Sequence, residues 1–245
     1  SALVRLRVLH APKRLEAPEE YEDAAWPGES CHLPALPIRL AVADGATTSS
    51  FSGLWARYLA RAWGEEHLTR DSLLTDVAAL ARLWRQDIQN TPMPWFAAEK
   101  ARQGAHAALL GLSVEFDGSW RALAVGDCCL FQIRENTLIE AFPARHPEAL
   151  DASPYLIGTE ASSALDEVAR EAFGYWEPGD MLLLMSDALA RWFLESAVTR
   201  EQAPCKWLSS LGVDSSPKAF EAMLRPLRSD GRLRSDDVTL VMLDL

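Results

Sequence analysis

Four aspartates in this 245-residue chain share one local setting: each stands where an apolar run stops or starts. Asp44 ends IRLAVAD, Asp127 ends ALAVGD, Asp187 ends MLLLMSD, and Asp236 precedes DVTLVML. An aspartate at a strand end can be there only to make a turn, since its carboxylate bonds the backbone two residues on. Asp44-Gly45 taken alone is among the strongest hairpin signals. Yet the run after it, SSFSGLWARYLARAW, does not alternate as a second strand would. Strand ends that share one sheet edge would instead bring the carboxylates together. Gathered carboxylates repel unless protons or cations neutralise them. Oxygen donors without a His or Cys cluster select hard cations, Mg²⁺ or Mn²⁺, over Zn²⁺.

The elements that would hold these residues follow from periodicity. Residues 3–10 alternate Leu and Val with Arg, as a half-exposed strand does, and IRLAVAD reads as a strand buried on both faces. Between them, residues 11–37 are rich in Pro, Glu and Ala, with YEDAAW as a short strand. SGLWARYLARAW is spaced as a helix, and a long helix runs from Asp71 toward Lys100 with Leu73, Val77, Leu80 and Trp84 on one face. TPMP at 91–94 breaks or kinks it. A meander follows: HAALLGLSVEF, SWRALAVGD, CCLFQIREN and TLIEAFP. VAREAFGYW and MLLLM are strands, ALARWFLESA, PCKWLSSLG and PKAFEAMLRPLR are helices, and DDVTLVMLDL closes the chain as a strand. Strands early, midway and last, with helices in two blocks, predict an α+β sandwich of antiparallel sheets flanked by helices. With no repeat and no low-complexity linker, residues 1–245 read as a single domain.

Composition narrows the partners. A formal net charge of -11 argues against nucleic acid. No apolar run reaches the roughly 18–20 residues of a membrane helix, and SALVRLRVLH lacks a signal-like stretch, so a cytoplasmic protein is expected. Cys31, Cys128, Cys129 and Cys205 have no framework or CxxC spacing and read as reduced thiols. His106 reads as a strand-end histidine, and His10, His32, His67 and His146 have no mutual spacing that suggests a site. Trp55, Trp63, Trp84 and Trp95 read as helix–sheet packing.

Taken in order, EYEDA (20–24), AVADG (41–45), GAHAALLG, AVGDCCLFQIREN, GDMLLLMSDAL and SDDVTLVML resemble the successive motifs of the protein phosphatase 2C (PPM) family of metal-dependent protein serine/threonine phosphatases, and of a bacterial subgroup with a similar DGAxxxSFSGxWARxL loop. The resemblance covers about residue 15 to the C-terminus. It implies a four-layer αββα sandwich with a binuclear Mn²⁺ or Mg²⁺ centre. Asp44 would bridge both ions and the Gly45 carbonyl would hold one. Asp187 and Asp236 would hold the other, and Glu22 or Asp23 would complete the site. Asp127 matches the aspartate that binds a third ion, shared with Asp187. Of Asp236 and Asp237 the family pattern favours the first, and strand alternation turns only one of them inward. The implied activity is hydrolysis of phosphoserine and phosphothreonine in a phosphorylated protein substrate. A metal-activated bridging water does the chemistry, the implied partner is a Ser/Thr kinase, and the protein is expected to be a monomer.

Three departures stand out. The DGxGG loop is DGATTSSFSG, with Ala46 where some members carry His. The usual phosphate-binding Arg position is Pro18, leaving Lys13 and Arg14 as the nearest basic residues. GDSR is GDCC and SDG is SDA, each keeping the carboxylate. A second reading is a catalytically weak or inactive regulatory module on the same fold. The strand-Asp-Gly-x-Thr run also resembles the DxDGT motif of haloacid-dehalogenase phosphatases, but its nucleophile position is Val42.

Overall fold

A strand whose successive side chains are all apolar has to be covered on both faces, and that requirement sets the architecture. The computed structural model describes residues 4–32, 34–47, 51–150, 153–160, 162–198, 203–211 and 216–245. The first half runs β1 (Arg5–Ala11), β2 (Asp23–Trp26), β3 (Cys31–His32), β4 (Ile38–Gly45), α1 (Ser52–Gly64), α2 (Leu73–Asn90) and α3 (Trp95–Arg102). The middle is β5 (His106–Val114), β6 (Ser119–Val125), β7 (Cys129–Arg134), β8 (Thr137–Phe142), β9 (Ile157–Gly158), α4 (Ala164–Val168) and β10 (Arg170–Tyr175). Last come β11 (Met181–Met185), α5 (Asp187–Val198), α6 (Ala203–Ser210), α7 (Pro217–Ser229) and β12 (Val238–Asp244).

Two antiparallel sheets result. The first has the order β3-β1-β12-β11-β7-β8 and the second β10-β6-β5-β4-β2, with β9 added to β5. Alternate residues of each buried strand feed different layers. Leu40 and Val42 of β4 meet Leu182, Leu184, Val241 and Leu243 between the sheets. Ala41 and Ala43 instead face Trp55, Leu59 and Trp63 of α1 and Val77 and Trp84 of α2. On the opposite outer face, Leu183, Met185, Leu240 and Met242 pack against Phe193, Leu208, Phe220 and Leu224 of α5, α6 and α7. The layers are therefore helix, sheet, sheet, helix, the αββα sandwich anticipated above.

Thr91–Pro94 separates α2 from α3, and Leu73, Val77, Leu80 and Trp84 are all buried, as the periodicity predicts. Trp95 corrects the packing expectation, being 81 % exposed on the first turn of α3. The strand read as VAREAFGYW starts only at Arg170, because Val168 closes the one-turn helix α4, whose Leu165 packs into the helix layer. Leu3, the first residue of the predicted opening strand, lies outside the described residues.

At the start of β11, one polar knot crosses between the sheets. The Trp120 indole donates to Gln132 Oε1 (3.0 Å), and Gln132 Nε2 donates to Asp180 Oδ2 (2.7 Å). Arg134 grips both Asp180 oxygens at 2.8 and 2.7 Å, and the Glu177 amide adds a further bond at 2.9 Å. Burial opposes the Asp180 charge, but these donors outweigh it and hold its carboxyl below the usual range. A depressed carboxylate stabilises the fold above its unfolded pKa and loses that contribution as pH falls through the folded value. Asp180→Ala is therefore expected to destabilise the fold at pH 7, by about 1–2 kcal/mol, since Gln132 then keeps only its bonds to Trp120 and the Tyr175 carbonyl. The cost should shrink below about pH 4, as measured by urea unfolding at the two pH values.

Candidate functional site

Register in the second sheet sets two carboxyls side by side. Asp23 of β2 pairs directly with Asp44 of β4, one step on from Ala24↔Ala43. Asp44 follows Leu40 and Val42 on the face toward the first sheet, so the apolar layer between the sheets ends in acid. Directly opposed side chains in such a pair have Cβ atoms about 5 Å apart, and like charges there are destabilising. From the other sheet, Thr239 of β12 donates to Asp23 Oδ2 at 2.6 Å, and the Tyr21 hydroxyl bonds the same threonine. Thr239 is itself held by Ser186, whose hydroxyl accepts the Thr239 amide at 2.9 Å and whose amide donates to the Thr239 carbonyl at 3.1 Å. Asp187 follows at once and opens α5.

The segment before β12 joins the same place. Asp237 accepts the Lys13 amide on Oδ1 (2.7 Å) and the Glu22 amide on Oδ2 (2.9 Å), and so clamps those two segments together. Asp236 carries one bond, from the Asp237 amide to Oδ1 (2.9 Å). Glu22 is fixed by the Ser52 hydroxyl at 3.0 Å, and the Gly45 amide donates to the Glu22 carbonyl at 3.1 Å. A Cβ on Gly45 would lie 2.7 Å from the Ser52 carbonyl and 2.8 Å from that of Glu22, so only glycine fits where β2, β4 and α1 converge.

Asp127 follows β6 and completes the acidic set through Asp187. Burial, then the neighbouring charges of Asp23 and Asp187, pushes Asp44 well above the ordinary carboxylate range. Burial likewise raises Asp23 to about 7 and Asp127 to about 7, the latter reinforced by Asp187. Asp236 and Glu22 are raised as well, first by burial. Asp23 Oδ1 is buried with no hydrogen-bond partner, in a residue only 3 % exposed. Among the described residues no three His, Cys, Asp or Glu side chains close on a single point as a finished ion cage. The acids adjoin one another as neighbours: Asp23 with Asp44, Asp44 with Asp187, Asp187 with both Asp127 and Asp236. The donor set is oxygen only, mutually repelling and partly orphaned, which suits hard divalent cations.

All seven residues singled out in the sequence thus fall in one neighbourhood at one end of the sandwich. Tyr21, Ser52 and Thr239 were not singled out; only the Thr of DDVT carried a signal, as part of a strand motif. His106 opens β5 with an exposed side chain, and its carbonyl takes the Ala46 amide at 2.9 Å. The buried thiols of Cys128 and Cys129 are pushed up by desolvation and are poor nucleophiles. Thr48, Ser49 and Ser50 of the altered loop lie outside the described residues.

Beside the acids is a cleft of about 710 Å³. Lys13, Arg14, Glu19, Glu20 and Tyr21 line one side, Ser52, Gly53, Leu54 and Arg57 of α1 another, and Glu22, Asp236 and Asp237 border it. Arg14 is committed to Glu20 at 3.2 Å.

No protein-family model and no characterised sequence matches the chain. Its fold, however, is shared with solved serine/threonine phosphatases. The PstP/Ppp phosphatase of Mycobacterium tuberculosis superposes with a TM-score of 0.59 at 16 % identity, over 99 % of both chains. A structure of the catalytic domain of PstP in complex with two manganese ions gives 0.58 at 16 %, over 100 % of this chain and 99 % of that one. The PPM Ser-Thr phosphatase MsPP from Mycobacterium smegmatis gives 0.56 at 18 %, over 100 % of both. The architecture is therefore that of the PP2C-like phosphatases.

Two outcomes follow from the geometry. Carboxyls raised to about 7 keep their protons in the folded state while unfolded ones release them near pH 4. Folding then takes up protons between those values, and metal-free stability falls as pH rises through that window, by about 1.4 kcal/mol per unit and group. Melting curves in EDTA are expected to drop from pH 5 to 7 and level off above, with Mn²⁺ restoring more stability at pH 8 than at pH 5. Gly45→Ala is expected to cost about 1–3 kcal/mol through overpacking, measured by denaturant unfolding in EDTA.

Proposed function

We propose that this chain is a metal-dependent phosphoprotein phosphatase of the PP2C type, acting on phosphoserine and phosphothreonine. The observation that carries the reading is the set of raised carboxyls around Asp44, beside an open cleft large enough for a peptide segment. Asp44, the Gly45 carbonyl, Asp187 and Asp236 would hold two Mn²⁺ or Mg²⁺ ions. Asp23 or Glu22 would complete that shell, and Asp127 with Asp187 would hold a third ion. Such ions, when bound, neutralise phosphoryl charge and lower the pKa of water.

The chain's own groups have supporting tasks. Thr239 and Tyr21 keep Asp23 in one orientation, so its carboxylate does not have to reorganise when charge arrives. Asp237 ties the Lys13 and Glu22 segments to the start of β12 and fixes the cleft's acidic border. Ser52 shares its one hydroxyl proton between Glu22 and the Ala46 carbonyl at 2.8 Å, which suits a positioning role and not a nucleophile's. With Cys128 and Cys129 buried and held as thiols, the acidic site itself is where hydrolysis is expected.

The substrate is proposed to be a phosphorylated protein, with a Ser/Thr kinase as counterpart, and the site to lie within one domain spanning residues 1–245 of a monomer. Among the described residues no helix is long and apolar enough to cross a membrane; a cytoplasmic location remains part of the proposal. The reading is tested with p-nitrophenyl phosphate and a phosphothreonine peptide. Turnover is expected with Mn²⁺ and not in EDTA, and Asp44→Asn is expected to lower kcat/KM about a thousandfold. Absence of turnover on both substrates, with Mn²⁺ affinity unaltered by Asp44→Asn, would overturn it.

A further inference from the structure

Resting on that reading, we infer that Arg57 of α1, aided by Lys13, binds the phosphoryl group of the substrate. A phosphate monoester dianion has to enter a site bordered by Glu22, Asp236 and Asp237 on a chain of net charge -11. The proposed ions would neutralise the inner end of that path, and cationic side chains at its rim would steer and orient the dianion. Three cations line the cleft, and Arg14 is already paired with Glu20. The side chains of Lys13 and Arg57 form no hydrogen bond or ion pair among the described residues.

Arg57 does more than border the cleft. Its Nη1 lies 3.7 Å from where a Cβ on Gly53 would sit, and that same point is 3.3 Å from the Glu22 Cα and 3.2 Å from the Tyr21 carbonyl. The guanidinium therefore folds back over the first turn of α1, toward the segment that carries Glu22 and Asp23. A planar guanidinium offers two parallel N–H donors to phosphate oxygens, which a lysine cannot match. Pro18 opens the short turn Pro18–Glu20, whose Glu19 and Glu20 line the cleft, and that turn has no arginine to offer. The cation here comes from the helix after β4 instead of the segment before β2.

The test compares wild type, Arg57→Ala, Arg57→Lys and Lys13→Ala in two measurements. One is turnover of p-nitrophenyl phosphate with Mn²⁺; the other is calorimetric titration of the Mn²⁺-loaded protein with inorganic phosphate. Arg57→Ala is expected to raise KM and weaken phosphate binding about ten- to a hundredfold, the worth of one or two charge-assisted hydrogen bonds. Arg57→Lys should recover part of the loss, Lys13→Ala should show a smaller one, and Mn²⁺ affinity should not change. Arg57 is exposed, so melting temperature should hold and unfolding does not mimic the effect. Wild-type KM and phosphate affinity in Arg57→Ala overturn the inference. If wild type shows no turnover, the phosphatase reading fails and the titration alone decides this one. Phosphate binding lost with Arg57 upholds it; no binding, or binding indifferent to Arg57, overturns it.

Discussion

Asp23 and Asp44 sit opposite each other in an antiparallel ladder, and no rotamer choice separates them without breaking the register of β2 on β4. That register is not free to slip. Ala24, one residue on, packs in the helix-side layer, and a shift of β2 by one would turn it to the wrong face. The apolar layers therefore hold two carboxyls in a position that electrostatics alone would reject. Thr239 of the other sheet completes the arrangement by bonding Asp23, so the carboxyl pair also joins the two sheets. The energy that tolerates raised carboxyls comes from three apolar layers, the middle one drawing on β4, β5, β11 and β12.

The two ends of β11 differ in electrostatics. Asp180, at the start of β11, is met by Arg134, Gln132 and a backbone amide, and its carboxyl is depressed. Beyond the far end of the same strand, the carboxyls near Asp187 meet mainly each other and are raised. One end of the strand is thus closed by its own counter-ions, while at the other Arg191 and Arg234 only partly offset burial and the neighbouring acid, and Asp127 stays raised. That contrast marks Asp180 of GDMLLLMSD as a structural acid, which composition cannot do. Asp237 likewise has a structural task, with an amide on each oxygen, where Asp236 accepts one.

The sandwich was largely legible because its strands are apolar on both faces and its helices carry one clear stripe. β4, β11 and β12 could be read directly, and so could α2 with its buried Leu73, Val77, Leu80 and Trp84. Two-residue strands such as β3 and β9 have no period to read, and α4 is a single turn ahead of a strand. Trp95 misled because its helix, α3, buries only Ala101, and helical spacing says nothing about what a helix faces. In the site, the strand-end aspartates were legible from their position alone. Tyr21, Ser52 and Arg57 were not, since their part depends on distances between β2, the start of α1 and β12 that lie far apart in the chain.

The altered loop after Asp44 makes physical sense at its described ends. In DGATTSSFSG, the glycines that remain are Gly45 and Gly53, and both stand against the backbone of the segment carrying Glu22. Gly45 is wedged between the carbonyls of Ser52 and Glu22, while Gly53 faces the Tyr21 carbonyl and the Glu22 Cα. Glycine persists where another backbone comes within a Cβ's reach, at the two ends of the loop. Between them, Ser52 replaces backbone closeness with hydrogen bonds to Glu22 and Ala46. The loss of the paired glycines thus leaves the Asp44 corner supported from both ends. It also places Arg57, one turn into the helix that the loop leads to, over the mouth of the acidic cleft.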